Sequence, residues 1–134
     1  MNQLLAVLKY LVSQLIHKNV NMPTDAGKKL YQEALKYIGI DASPNDLAPD
    51  EYGCAETVAT ICHKIFPDVP IFTGTWSLWN FLRGNLYFVE VFSPIAGDII
   101  VSPTDGKTIG HTGIFFTPTS IASNESKTGK FLQN

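Results

Sequence analysis

Apolar residues fall at Leu4, Leu5, Leu8, Leu11, Val12, Leu15 and Ile16, the three- and four-residue spacing of one helical face. The stripe predicts a helix over residues 3–18 and has two readings. One is a helix packed on its own domain. The other is self-association or a partner contact, because so narrow a Leu-rich stripe resembles a coiled-coil seam. Beyond Asn21-Met22-Pro23, Thr24 or Asp25 can cap a second helix, Ala26–Ile38, with Leu30, Ala34, Leu35 and Ile38 along one side and Gly39 as its stop. Residues 41–53 form a loop rich in Pro and Asp. A third helix starts near Cys54: Val58, Ile61, Cys62, Ile65 and Phe66 share a face, Cys54 is in phase with it, and Pro67 ends it. Trp76, Leu78, Trp79, Phe81 and Leu82 mark a short helix or turn over 73–83.

From Leu86 onward the pattern changes to strands: Leu86–Val91, Asp98–Val101, Thr112–Phe116 and a short Ser120–Ser123, with Asp105-Gly106 as the turn between the second and third. Helices first and an antiparallel sheet afterwards is an α+β layout, with N-terminal helices packed on a small sheet. Residues 1–22 then form an accessory amphipathic helix and 23–134 the main domain.

Composition narrows the function classes. A chain of 134 residues with 45% hydrophobic and 16% charged residues holds one domain with a real core and is not disordered. The net charge is −2 and the ten Lys and Arg are scattered, so no basic footprint for nucleic acid exists. Gln3, Lys9, Ser13, Gln14 and His17 interrupt the first apolar stretch, which argues against stable membrane insertion. The start also lacks the basic residues and small-residue cleavage site of a signal peptide. Two Cys on one helix, at 54 and 62, lie about 12 Å apart at ~1.5 Å per residue, too far for a disulfide.

Cys54 is the candidate nucleophile. Asp50 can cap its helix, and Tyr52 and Gly53 precede it, Gly53 permitting close approach of a substrate. The first-turn N–H groups of Cys54 and Ala55 favour a thiolate and can donate to an oxyanion. The competing reading is a small buried hydrophobe, the usual fate of a free Cys. His111 is the candidate base. Its strand alternation places it with Gly113 and Phe115, and Gly110 and Gly113 clear space around the ring; a solvated edge histidine is the plainer alternative. A turn at Thr117-Pro118 puts Asn124 opposite His111, within about 5 Å at Cβ, and a turn one residue longer puts Glu125 there. Either side chain can accept from the imidazole and set its tautomer, whereas Asn124 as a mere turn residue is equally in keeping with the pattern. A zinc site from Cys54, Cys62, His63 and His111 fails on spacing, so no metal or other cofactor is expected.

Tyr52-Gly53-Cys54-Ala55-Glu56-Thr57-Val58, Pro94-Ile95-Ala96-Gly97-Asp98-Ile99-Ile100 and Gly110-His111-Thr112-Gly113-Ile114 together resemble the CHAP and NlpC/P60 superfamily of papain-like cysteine peptidases and amidases. The closing stretch Ser123–Gly129 looks like that of phage-encoded members. The resemblance implies a nucleophile helix packed on a small antiparallel sheet or half-barrel. It implies hydrolysis of peptidoglycan amides, as an endopeptidase or an N-acetylmuramoyl-L-alanine amidase, with peptidoglycan as the partner. Cys54 carries over as nucleophile, His111 as base, and Asn124, or Glu125 in its place, as the third polar group. Asp98 belongs to the family's Gly-Asp turn, with a structural role. A phage product of this kind would sit in the host cytoplasm or the virion and act on the cell wall. Relatives continue through at least one more strand where this chain stops at Asn134, which predicts a short sheet or a truncated chain. Two other readings remain: a non-catalytic wall-binding or virion module on the same scaffold, and a cysteine protease or deamidase acting on proteins.

Overall fold

The structure is a computed structural model and describes residues 24–43, 48–49, 52–105 and 109–134. The Leu-rich segment 3–18, the proposed cap Asp50 and the Gly106 turn residue lie outside the described residues.

Among the described residues, three helices precede a four-stranded antiparallel sheet. They are α1 (Asp25–Leu35), α2 (Cys54–Ile65) and α3 (Thr75–Gly84), followed by β1 (Ile99–Ser102), β2 (His111–Thr117), β3 (Ser120–Asn124) and β4 (Phe131–Gln133), in sheet order β1-β2-β3-β4. The class is α+β. Among the described residues no helix is long and apolar enough to cross a membrane.

Thr24 caps α1, its hydroxyl accepting the Gly27 N–H at 3.0 Å, so the helix begins where a Thr-Asp pair predicts. It ends three residues before Ile38, because residues 36–40 turn into a bridge with the C-terminal strand. Gly39, at φ 83°, makes that turn, and its N–H donates to the Phe131 carbonyl at 2.8 Å. The central helix α2 is buried on all sides from Ala55 to Cys62, not along a single face. It packs against α1, α3, β2 and β3, which together surround it. The core around it joins Leu30 and Ala34 of α1, Leu78 of α3, and Ile114, Phe116, Ala122 and Phe131 of the sheet.

One expected strand is corrected and one unexpected strand is added. Leu86–Val91 forms no strand. Asn85 captures the Tyr87 N–H on its side-chain oxygen at 2.9 Å, and Leu86 and Tyr87 project into solvent, 70% and 80% exposed. β-prone residues make a strand only beside a strand to pair with, and here a local side-chain bond takes the backbone instead. Phe131–Gln133, not anticipated, is a fourth strand paired with Ala122–Asn124.

The Gly97-Asp98 turn feeds β1. Gly97 has φ 94°, and a Cβ there would run into the Gly27 main chain of α1. Asp98 Oδ2 accepts the Ile95 N–H at 2.9 Å and closes the turn. The Gly97 N–H donates to Phe115 O at 2.9 Å and the Phe115 N–H to Asp98 O at 2.8 Å, which carries β2 alongside. The Asp98 carboxylate therefore shapes this backbone turn.

Candidate active site

Cys54 is the first residue of α2 and is half-buried. Gly53 takes the N-cap position with φ −80° and brings no side chain of its own to cap the helix. Gly53 is buried beneath the tip and does not line the cleft, contrary to its expected role at the substrate.

The cleft at this tip holds about 290 Å³. Tyr52, Cys54 and Ala55 form one wall, and Gly110, His111 and Asn124 another. Thr73, Gly74 and Thr75, at the start of α3, close a third side with Thr104, Ile109 and Ser126. His111 reaches the cleft because it is the first residue of β2, at the end of the ladder where it pairs with Ser102. Further along β2, Thr112, Ile114 and Phe116 are buried, while His111, Phe115 and Thr117 are more exposed. The expected alternation holds for these side chains, but Gly113 is buried against β3, where a Cβ would meet Ala122 O, and does not clear space beside the imidazole as expected.

The third group arrives by a different register. Thr117 pairs with Ser120 across the Pro118-Thr119 turn, but an irregularity at Phe116 moves the ladder to Phe115↔Ile121 and Ile114↔Ala122. Continued in that register, Thr112 falls opposite Asn124, and Glu125 opposite His111. Asn124 nevertheless lines the cleft with His111, and Glu125 does not. The Glu125 carboxylate is engaged in its own turn, accepting the Thr128 hydroxyl at 2.5 Å. Asn124 ends β3 and is 6% exposed, held in the ladder by its pairing with Phe131.

The electrostatics depart from the expected thiolate. Burial pushes the Cys54 thiol above its usual 9.0, and the main-chain N–H groups of Thr112, Ala55 and Cys54 itself oppose that shift without cancelling it. Burial also lowers the His111 imidazole below 6.5. At neutral pH the pair therefore rests as thiol and neutral imidazole. No hydrogen bond joins them directly among the described residues. A helix tip favours a thiolate, but a fraction of a charge loses to desolvation when the sulfur is largely enclosed.

Cys62 is a different case. It is fully buried, and burial alone pushes its thiol up to about 12. His63 faces away from the cleft, its Nδ1 donating to Val69 O at 2.8 Å. Among the described residues no three His, Cys, Asp or Glu side chains gather as metal ligands would. The contrast between the thiols predicts one reactive cysteine of two in the folded protein. Iodoacetamide followed by intact-mass analysis is expected to add one label natively, at Cys54, and two in denaturant. Native labelling at Cys62 would contradict the burial described here.

The α3 tip is the part of the site that sequence reading missed. Residues 73–83 read as a short helix or turn marked by its aromatic and leucine residues, and the small polar run Thr73-Gly74-Thr75 at its start is the signal that could have pointed to a cleft wall. Compared with known protein families and with curated proteins, the chain matches none.

Proposed function

We propose that this protein is a cysteine hydrolase that cleaves amide bonds of peptidoglycan by acyl transfer through Cys54. The observation that carries the reading is one open cleft lined by a helix-tip thiol, a strand-end imidazole and a buried amide. The papain-like fold of the CHAP and NlpC/P60 superfamily is part of the same proposal, supported by the α+β layout and by the three sequence blocks quoted above. The choice of peptidoglycan, and action on the cell wall from a host cytoplasm or a virion, rest on those blocks.

The neutral resting pair suits base-assisted attack. His111 takes the thiol proton as the Cys54 sulfur adds to the carbonyl carbon of the substrate. The resulting oxyanion is met by the N–H groups of Cys54 and Ala55 at the start of α2. The imidazolium returns its proton to the departing amine as the C–N bond breaks, leaving a thioester. Water, deprotonated by His111, then attacks the thioester; the acid leaves and the thiol is restored. Of the two candidates for the third group, Asn124 lines the cleft with His111, whereas Glu125 is tied to Thr128 and does not.

The test is digestion of purified peptidoglycan, with products identified by mass spectrometry. Native protein is expected to release defined fragments whose new termini name the bond, and protein carboxymethylated at Cys54 to release none. Absence of release with wall binding retained in both forms would replace the hydrolase by a binding module. Cleavage or deamidation of protein substrates alone would move the reading to a protein-directed enzyme.

A further inference from the structure

His111 makes no side-chain hydrogen bond among the described residues, so its ring is placed chiefly by the backbone that carries it. That backbone is held from two directions. On one side is the β1 ladder, through the pairing of Ser102 with His111. On the other is a compact hydroxyl cluster. The Gly110 N–H donates to Thr104 Oγ1 at 2.9 Å, the Thr104 N–H donates to Thr75 Oγ1 at 2.9 Å, and the two hydroxyls lie 2.9 Å apart.

Counting protons orients this cluster. Thr75 is 4% exposed, so its hydroxyl proton needs an acceptor inside the protein, and the hydroxyl oxygen beside it is Thr104 Oγ1. Thr104 Oγ1 then accepts from both Gly110 N–H and Thr75 O–H, which uses its two lone pairs. Its own proton turns outward, where Thr104 is exposed. The packing admits nothing larger at the junction: a Cβ on Gly110 would collide with Ser102 O and Thr104 N and sit 2.5 Å from Thr75 Oγ1. Thr75 belongs to α3, Thr104 to the β1–β2 connection, and Gly110 directly precedes the imidazole.

We propose that the Thr75–Thr104 hydroxyl pair is a positioning element for His111, tying the tip of α3 to the main chain that carries the imidazole. The inference rests on the reading of Cys54 and His111 as a working pair, and adds α3 to the parts on which that pair depends. Valine at 104 keeps the shape but offers Gly110 no acceptor, and the His111 backbone is then free to drift. Misplacement of a reacting group by about 1 Å can cost up to a hundredfold.

The experiment reads the pair without needing a substrate. The rate of Cys54 alkylation by iodoacetamide is measured against pH in native protein and in His111→Ala, Thr104→Val, Thr104→Ser and Thr75→Val. Native protein is expected to show, on the acid side of the thiol's own titration, a reactive step that follows the neutral imidazole, which takes the thiol proton as the sulfur attacks, and His111→Ala to lack it. Thr104→Val and Thr75→Val are expected to lower that step about tenfold or more, and Thr104→Ser to restore it. The His111 ring-proton titration should move back toward 6.5 in the valine variants as the ring becomes solvated. Thermal unfolding is recorded for each protein; should a valine variant fail to fold, Thr104→Ala, which admits water to the Gly110 N–H, takes its place with the same expected loss. A step kept at native amplitude in folded valine variants overturns the positioning role and leaves the pair standing. A native profile identical to that of His111→Ala overturns the pair itself, and the positioning role with it.

Discussion

Replacing Cys54 by alanine is expected to lower amide hydrolysis by about 10⁴-fold or more, with the fold and substrate binding retained. The side chain is half-buried at a helix tip, and its loss removes one sulfur without opening the core that starts at Ala55. His111→Ala is expected to cost less, about 10²–10⁴-fold, since the thiol survives but loses its proton acceptor and the amine its donor. Both losses should fall on kcat, because neither side chain is needed to hold the substrate before attack. The direction of the pH profile follows from the site. Burial lowers the His111 imidazole, so the base stays unprotonated, and activity persists, to a pH below 6.5 before falling on the acid side. Measured kcat/KM against pH checks this directly. An acid limb centred well above 6.5 would mean that another group controls the step, and undiminished turnover in Cys54→Ala would end the thiol mechanism.

Phe131→Ala is expected to destabilise the protein by about 3–5 kcal/mol, a large share of the ~5–15 kcal/mol that holds a typical domain folded. Among the described residues Phe131 is the largest fully buried side chain, at 0% exposure. Its ring meets Phe116 of β2 edge-on at 6.1 Å, and Phe116 meets Tyr31 of α1 at 5.2 Å, so one aromatic chain joins the last strand, the middle of the sheet and the first described helix. The backbone is bound as tightly: the Phe131 N–H donates to Ile40 O at 2.9 Å and its carbonyl accepts from Gly39. Truncation leaves a ring-sized void that these hydrogen bonds keep from collapsing. Gln133→Ala, on the exposed end of the same strand, should stay within about 0.5 kcal/mol. Urea unfolding of both variants makes the comparison, and a Phe131→Ala cost below that of an ordinary surface change would refute the anchoring role.

How much was legible beforehand depended on the range of the forces involved. The helix starting at Cys54 was readable because its signals are local: an apolar face from Val58 to Ile65 and Pro67 beyond it. The alternation in β2 that brackets His111 is local too. Leu86–Val91 misled because strand propensity says nothing about whether a neighbouring strand exists, and Asn85 supplied a competing bond. β4 was missed because three residues carry no period. The pairing of β2 with β3 slipped by one at Phe116, a bulge that no turn residue announces. The thiol was expected to be acidified by its helix tip, since the dipole can be read from the sequence and the enclosure that outweighs it cannot. Thr75 and Thr104 are far apart in the chain and come together only in the fold, so their shared role had no sequence signal.

The bridges from Ile38 to Phe131 and from Asp41 to Lys130 join positions roughly ninety residues apart, near the upper end of loop closures in a small domain. In sequence, this seam stands directly ahead of the stretch that leads to Tyr52 and Cys54. A chain emerging from a ribosome can form α1 and α2 early, but it cannot close the seam until residues 130–133 are free. The thiol is therefore seated only once residues 130–133 are made, and a chain that stalls before Lys130 carries Cys54 without this seam in place.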